Sequence, residues 1–363
     1  MIYRAIGVMS GSSLDGLDVV YAAFEEVRGK WSYTIEASTC YTYDATWTHR
    51  LGNAHLLSAY EYLILDVDFA RFVTEKINLF IETHQLQHKV QLIGTHGHTV
   101  FHAPDKGMTA QIGDAATIAA GTGINVVSQL RHMDVALGGH GAPIVPVGEQ
   151  LLFPGYDYLL NIGGIANLSA NRQPYLAFDI CPANAVLNRL AGLNNQLYDD
   201  RGATAATGQV HTQLLEQLNA SAYYQHTGPK SLSNTFSLEL FLMVAAAGLE
   251  PADALRTYVA HIVIQVRAAV EQLQQSAGNA PAQLLVTGGG ALNTFLVTEL
   301  QQALHPLQVE VVVPDTTTVQ YKEALIMALL GILRWREQNT VLSSVTGAGR
   351  DSIGGAVWIG QEA

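Results

Sequence analysis

Two cysteines, Cys40 and Cys181, are all that the 363 residues contain. That is too few for a disulfide framework or a thiolate metal cluster. Charge is scarce too: Asp, Glu, Lys and Arg make up 14% of the chain, and Lys plus Arg (19) fall short of Asp plus Glu (31), for a net charge of −12. Such a surface suits neither nucleic acid nor an anionic membrane, so neither is expected as a partner, while a local basic pocket for a phosphorylated ligand stays open. No apolar run reaches the ~18 residues of a membrane-spanning helix. The opening residues lack a charged region followed by a long apolar segment and a cleavage site, which leads us to expect a cytoplasmic protein without a secretory leader. Also missing are the P-loop string G-x-x-x-x-G-K-[ST], the set V-A-I-K, H-R-D and D-F-G, and a well-placed G-x-G-x-x-G.

What is present is a hydrophobic content of 48% in a chain long enough for two domains. Residues 1–6 read as a strand and run into "GVMSGSSLDGLD" (7–18), a loop too long and polar for a tight hairpin, before the apolar run 19–24. Residues 55–90 read as helical, with Leu63, Phe69, Phe72, Val73, Ile77, Leu79 and Phe80 at three-to-four spacing. Three strands end in glycine or acid: 90–93 runs into "GTHGHT", 156–162 into Gly163-Gly164, and 175–178 onto Asp179. A long helical region is expected over 230–275, a buried strand at 284–286 closing on Gly288-Gly289-Gly290, and a final helix over 324–334 that is apolar on most faces.

The strings "VQLIGTHGHTVF" (90–101) and "AQLLVTGGGALNTF" (282–295) share a strand, a Thr, a Gly and a later Phe, and each follows a strand–glycine loop–strand unit. This order points to two α/β domains facing each other across a cleft, with ligands outside the strand ends. The first domain is set at 1–130, with 340–363 as a segment able to complete it, and the second at 131–340. Gly-Ser loops after strands offer backbone N–H groups and hydroxyls, and a phosphate chain is their natural occupant.

Seven strings then carry a specific resemblance: "GVMSGSSLDGLD", "THGHTVFH", "QIGDAATIAAGTGINVVSQLRHMDVALGGHGAPIVP", "LNIGGIANLS", "FDICPAN", "VTGGGALN" and "SSVTGAGRDSIGG". In this order, from near residue 6 to near residue 355, the chain resembles the 1,6-anhydro-N-acetylmuramic acid kinases. The resemblance implies two ribonuclease-H-like (actin-like ATPase) domains around a nucleotide/sugar cleft. It implies ATP and Mg2+ as cofactors and 1,6-anhydro-N-acetylmuramic acid as substrate. The reaction implied is hydrolytic opening of the anhydro ring with phosphorylation of O6, a step of cell-wall recycling; a monomer and a homodimer are both left open. The chain departs from the family pattern at Ser12, usually Thr, at His98, commonly Gln, and at Ile180, Cys181 and Ala183, which replace a Thr and two glycines.

Carried onto this sequence, the resemblance places ATP against Gly11, Ser12, Ser13, Leu14, Asp15, Gly16, Leu17 and Asp18, against Gly163, Gly164 and Asn167, and against Gly288, Gly289 and Gly290. No protein ligand is assigned to magnesium, which keeps several waters on nucleotide phosphates. The sugar side takes His96, His98, Arg131, Asp134 and Glu323. Arg131 is either a clamp for the lactyl carboxylate or an ion-pair partner of Asp134; Glu323 is either a sugar contact or a first-turn residue favoured by the helix dipole. Asp179 is either the general base for the attacking water or a helix N-cap for 183 onward. Two rival functions remain in view. His96, His98 and His102 form H-x-H-x3-H, which suits a zinc hydrolase; the paired glycine loops also suit a non-catalytic, actin-like or chaperone-like nucleotide binder.

Overall fold

The computed structural model describes residues 1–360 apart from 12, 226–229, 231, 233 and 276–279. It forms two compact units, one of Met1–Pro154 with Tyr321–Ala363 and one of Gly155–Gln320. The stretch 131–154 belongs with the first unit through long-range bonds to 321–363. Lys322 Nζ meets Glu149 Oε1 at 2.7 Å with both side chains buried, and Thr346 bonds Asp134.

The first sheet contains β1 (Ile2–Ser10), β2 (Gly16–Val27), β3 (Lys30–Thr42), β4 (Leu92–Ala103), β5 (Met108–Ile112), β6 (Val126–Ser128) and, from the chain's end, β12 (Ala356–Trp358). Its order is β12-β6-β4-β1-β2-β3, with β5 hairpinned to β4. β1, β2 and β3 are antiparallel neighbours, while β4 runs parallel to β1 and β6 parallel to β4. The middle of β1, Ala5-Ile6-Gly7-Val8, is buried without alternation, as a strand covered on both faces must be.

Helix Ala59–Thr83 packs on one face. Ser58 caps it in a reciprocal box with Glu61, and it buries Leu65, Phe69, Ala70, Val73, Ile77 and Phe80. Leu63 and Leu79, expected on that stripe, are exposed instead; the 3.6-residue turn puts Leu65 where Leu63 was placed. The other face carries helix Thr316–Trp335, buried over nearly all of 324–333. It lies on the strand backbones themselves. Gly7 and Gly94 are register partners in β1 and β4. A Cβ on Gly7 would overlap the Ala324 carbonyl, and one on Gly94 the Met327 carbonyl.

The second sheet has β7 (Tyr158–Ile162), β8 (Ile165–Ala170), β9 (Leu176–Pro182), β10 (Ala282–Thr287) and β11 (Val309–Val312), in the order β11-β10-β7-β8-β9. β7, β8 and β9 are antiparallel; β10 is parallel to β7 and β11 to β10. β1, β2, β3, β4 and β6 in the first sheet, and β7, β8, β9, β10 and β11 in the second, thus follow one plan, three antiparallel strands and then two parallel ones on the far side of the first. That is the strand order of a ribonuclease-H-like domain, and the chain carries it twice. The helical region expected over 230–275 is two helices, Asn234–Ala246 and Pro251–Gln275. They part at Gly248, which has φ +62°, and Pro251 opens the second. Among the described residues no helix is long and apolar enough to cross a membrane.

Candidate active site

In the first unit the chemistry gathers at the carboxyl ends of β1 and β4. Gly11 follows β1 and Ser13 Oγ donates to Asp15 Oδ1 at 2.7 Å. Leu14 holds a left-handed φ of 57°, with its N–H 3.4 Å from the Gly11 carbonyl. Ser12 lies outside the described residues. Gly16, Leu17 and Asp18 belong to β2 rather than to the loop, and the Leu17 side chain is part of the hydrophobic core, so only its backbone faces any ligand.

Asp18 stands opposite Cys40 of β3 and hydrogen-bonds its thiol. Burial pushes the Asp18 carboxyl up to about 6, the Cys40 bond opposes this, and the charges of Asp15 and Glu323 push it further up. The folded state therefore holds this proton more tightly than the unfolded chain, whose ordinary value is 3.8. The stability it contributes is complete below that value and declines as pH rises toward about 6. Asp18→Asn should abolish the decline. In urea titrations it should exceed the parent by about 1–2 kcal/mol at pH 7 and match it near pH 4; an unchanged difference across that range would refute the assignment.

His96 and His98 lie within β4 on either side of Gly97, whose φ is +71°. They serve different partners. Arg131 Nε donates to His96 Nε2 at 2.8 Å, while His96 Nδ1 faces the Gly97 carbonyl at 3.0 Å. These two bonds define the neutral Nδ1–H tautomer. Burial, with Arg131 adding to it, holds the imidazole down to about 3. His98 Nδ1 sits 3.0 Å from Ser10 Oγ, which in turn lies 2.7 Å from the Tyr43 hydroxyl; burial lowers His98 to about 4. His102 Nδ1 is 3.0 Å from Thr109 Oγ1. The three imidazoles of H-x-H-x3-H are thus committed to three separate partners, and among the described residues no three His, Cys, Asp or Glu converge as metal ligands.

Arg131 directs Nη1 to the Gly141 carbonyl at 2.8 Å. Neither of its bonded partners, His96 nor that carbonyl, is negative. Burial lowers its guanidinium to about 10 against the opposing pull of Glu323, which leaves it charged at neutral pH. Asp134, the alternative partner, points elsewhere: its oxygens accept from Gly141 N at 2.7 Å and Thr346 Oγ1 at 2.6 Å. Glu323 is not a first-turn residue. Its helix begins at Thr316, where Asp315 accepts from Thr318 N at 3.0 Å, so the macrodipole is no reason for the carboxylate at 323.

In the second unit the strand ends of β7 and β10 meet. Gly163 and Gly164 form the β7–β8 turn, and their carbonyls accept from Asn184 N and Ala183 N at 3.1 and 2.8 Å. Gly288, with φ +79°, and Gly290 press against Ile162 too closely for any side chain, whereas Gly289 is exposed. Asn167 of β8 stands opposite Asp179 of β9. Asp179 is no helix cap: helix Asn184–Gly192 is capped at Ala183 without a side-chain bond. Its Oδ2 instead accepts from Leu232 N at 2.8 Å, its own N–H donates to Lys230 O at 2.9 Å, and Tyr223 donates to its carbonyl at 2.7 Å. Burial raises the carboxyl above the ordinary range, opposed by the Leu232 bond.

The chain from residue 3 to residue 360 matches the family described as anhydro-N-acetylmuramic acid kinase. This protein belongs to that kinase family. Three relatives bear that name: one from Haemophilus influenzae, 31% identical over 94% of each chain; one from a Sulfurovum species, 31% identical over 98% of this chain and 99% of its own; and one from Shewanella amazonensis, 33% identical over 97% of each. An activator of 2-hydroxyisocaproyl-CoA dehydratase from Clostridium difficile, solved with bound ADPNP, aligns over 92% of this chain and 96% of its own at 15% identity and a TM-score of 0.46. The fold assignment rests on strand order rather than on that alignment.

In this anhydro-N-acetylmuramic acid kinase family member, several site residues escaped the sequence. Ser10, at the end of β1, lies between His98 and the Tyr43 hydroxyl, and Leu232 reaches Asp179 from 53 positions away. Thr346 sits inside "SSVTGAGRDSIGG", a string singled out without any role for its threonine.

Proposed function

We propose that the chain uses ATP to open 1,6-anhydro-N-acetylmuramic acid and phosphorylate its O6, giving N-acetylmuramic acid 6-phosphate in the cytoplasm during cell-wall recycling. The observation that carries the mechanism is Asp179: a half-buried carboxylate of raised basicity, with Oδ2 fixed by Leu232 N and no bond to Oδ1 among the described residues. Water bonds to C1 as the C1–O6 bond breaks, O6 bonds to the γ-phosphorus, ADP leaves, and the water's proton passes to Asp179. Arg131, a desolvated cation without a negative hydrogen-bond partner, suits the lactyl carboxylate; His96, held neutral, adds no competing charge. The glycine loops at 11–16, 163–164 and 288–290 are assigned to the nucleotide. Mg2+ is the ion expected with ATP; among the described residues no three acids converge to hold it, so water and the nucleotide phosphates would complete its shell, and when bound it would shield phosphate charge.

A coupled ADP-release assay across anhydro and ordinary amino sugars tests this. Release only with a 1,6-anhydro sugar is the expected result. Release with ordinary amino sugars alone overturns the reading, and release without any sugar favours the non-catalytic nucleotide binder's residual ATPase.

A further inference from the structure

Asp134 was expected to face the sugar, yet it is fully buried and both oxygens are occupied, Oδ1 by Thr346 Oγ1 and Oδ2 by Gly141 N. The Gly141 peptide is therefore gripped from both sides: Asp134 holds its N–H, and its carbonyl holds Arg131 Nη1. Thr346 is itself fixed against the same turn, its carbonyl accepting from His140 N at 2.9 Å, while Gly349 N donates to Leu137 O at 3.0 Å. Threonine hydroxyl, carboxylate, peptide and guanidinium form one continuous series of hydrogen bonds. At its end stands a rigid planar fork, whose match to a two-oxygen anion depends on orientation.

We propose that Asp134 and Thr346 are positioning residues: they fix the Gly141 carbonyl and through it aim Arg131 at the carboxylate of the sugar, without touching the sugar themselves. This rests on Arg131 being the carboxylate clamp. It also gives the C-terminal turn Ser343–Thr346 a part in substrate affinity that its distance along the chain conceals.

Steady-state kinetics on the full-length protein, with 1,6-anhydro-N-acetylmuramic acid and ATP, tests the series as a double-mutant cycle. Arg131→Gln should raise the KM for the sugar about 10–100-fold, as loss of a charge-assisted bond does. Thr346→Val keeps the shape and removes the hydroxyl. It should raise that KM about five- to tenfold and leave kcat and the KM for ATP unchanged, with Thr346→Ser restoring the parent value. In the Arg131→Gln background, Thr346→Val should add nothing. An equal rise in both backgrounds, or a loss confined to kcat, overturns the positioning role and leaves the Arg131 clamp standing. An unchanged sugar KM in Arg131→Gln overturns the clamp, and the positioning role with it. Where Thr346→Val yields too little folded protein, Asp134→Asn replaces it, since it keeps an acceptor for Gly141 N. Its smaller rise must likewise vanish in the Arg131→Gln background, and persistence there counts against the proposal.

Discussion

Asp179→Asn should lower kcat by roughly 10²–10⁴, the usual worth of a positioned base, while ATP still binds. An ordinary sugar kinase deprotonates a substrate hydroxyl. Here O6 is tied up in the anhydro bridge, so a water must supply the nucleophile and shed a proton. Asp179 meets both demands of a base: Leu232 N fixes one oxygen, and burial raises its affinity for a proton. The asparagine keeps the size and an oxygen for Leu232, so nucleotide affinity and thermal midpoint should hold. In water enriched in heavy oxygen, the label should enter C1 of the sugar and stay out of the transferred phosphoryl group. The sign of the pH dependence follows from the raised carboxyl: the base is lost by protonation, so kcat falls on the acid side, at a pH above the ordinary carboxylate range, and Asp179→Asn flattens that limb. Full activity in the variant would remove Asp179 from the mechanism.

Gly7→Ala should be the most damaging single methyl in the first unit, with a loss of about 3–5 kcal/mol, at the upper end of overpacking effects because the obstacle is backbone. The new Cβ lands on the Ala324 carbonyl of a helix buried on nearly all sides, and a buried main chain has no rotamer with which to retreat. Gly94→Ala, across the register, should behave alike. Both should lower Tm by roughly 6–20 °C, or abolish folding. Gly192→Ala serves as control: its Cβ would meet nothing within 4 Å, so its melt should match the parent or rise slightly. A parental melting curve for Gly7→Ala would show that the helix can lift off the sheet at little cost. The consequence for the site is direct, because the helix that Gly7 and Gly94 admit is the one that carries Glu323.

The duplication was legible because strand and glycine together survive in both copies: "LIGTHG" opens β4 and "LLVTGGG" runs off the end of β10, the fourth strand of each plan. What was not legible depended on contacts remote in sequence. "IANLSA", which follows Gly163-Gly164 and has no element assigned to it from the sequence, is β8, made a strand by pairing on both sides with β7 and β9. The start of Glu323's helix was hidden by "TTT", poor helix formers that Asp315 nonetheless caps. Asp134 and Arg131 lie three apart on paper, as an ion pair would, but Gly141, bonded to both, separates their roles. Alternation along a strand puts His96 and His98 on one face; a left-handed glycine between them sends one to Arg131 and the other to Ser10.

The paired registers have a further consequence when the two halves are superimposed as relatives rather than as domains. Asp18 is the third residue of β2 and faces Cys40 on β3; Asn167 is the third residue of β8 and faces Asp179 on β9. Each half thus keeps a single carboxylate in this facing pair, but one copy carries it on the middle strand and the other on the outer strand. An alignment of the halves residue by residue pairs acid with amide and thiol with acid, and finds no shared acidic position. Read by ladder rung, the two acids are counterparts that have exchanged strands, so descent from one ancestral half is compatible with two unlike settings, an acid bonded to the Cys40 thiol in the first copy and the proposed proton acceptor in the second.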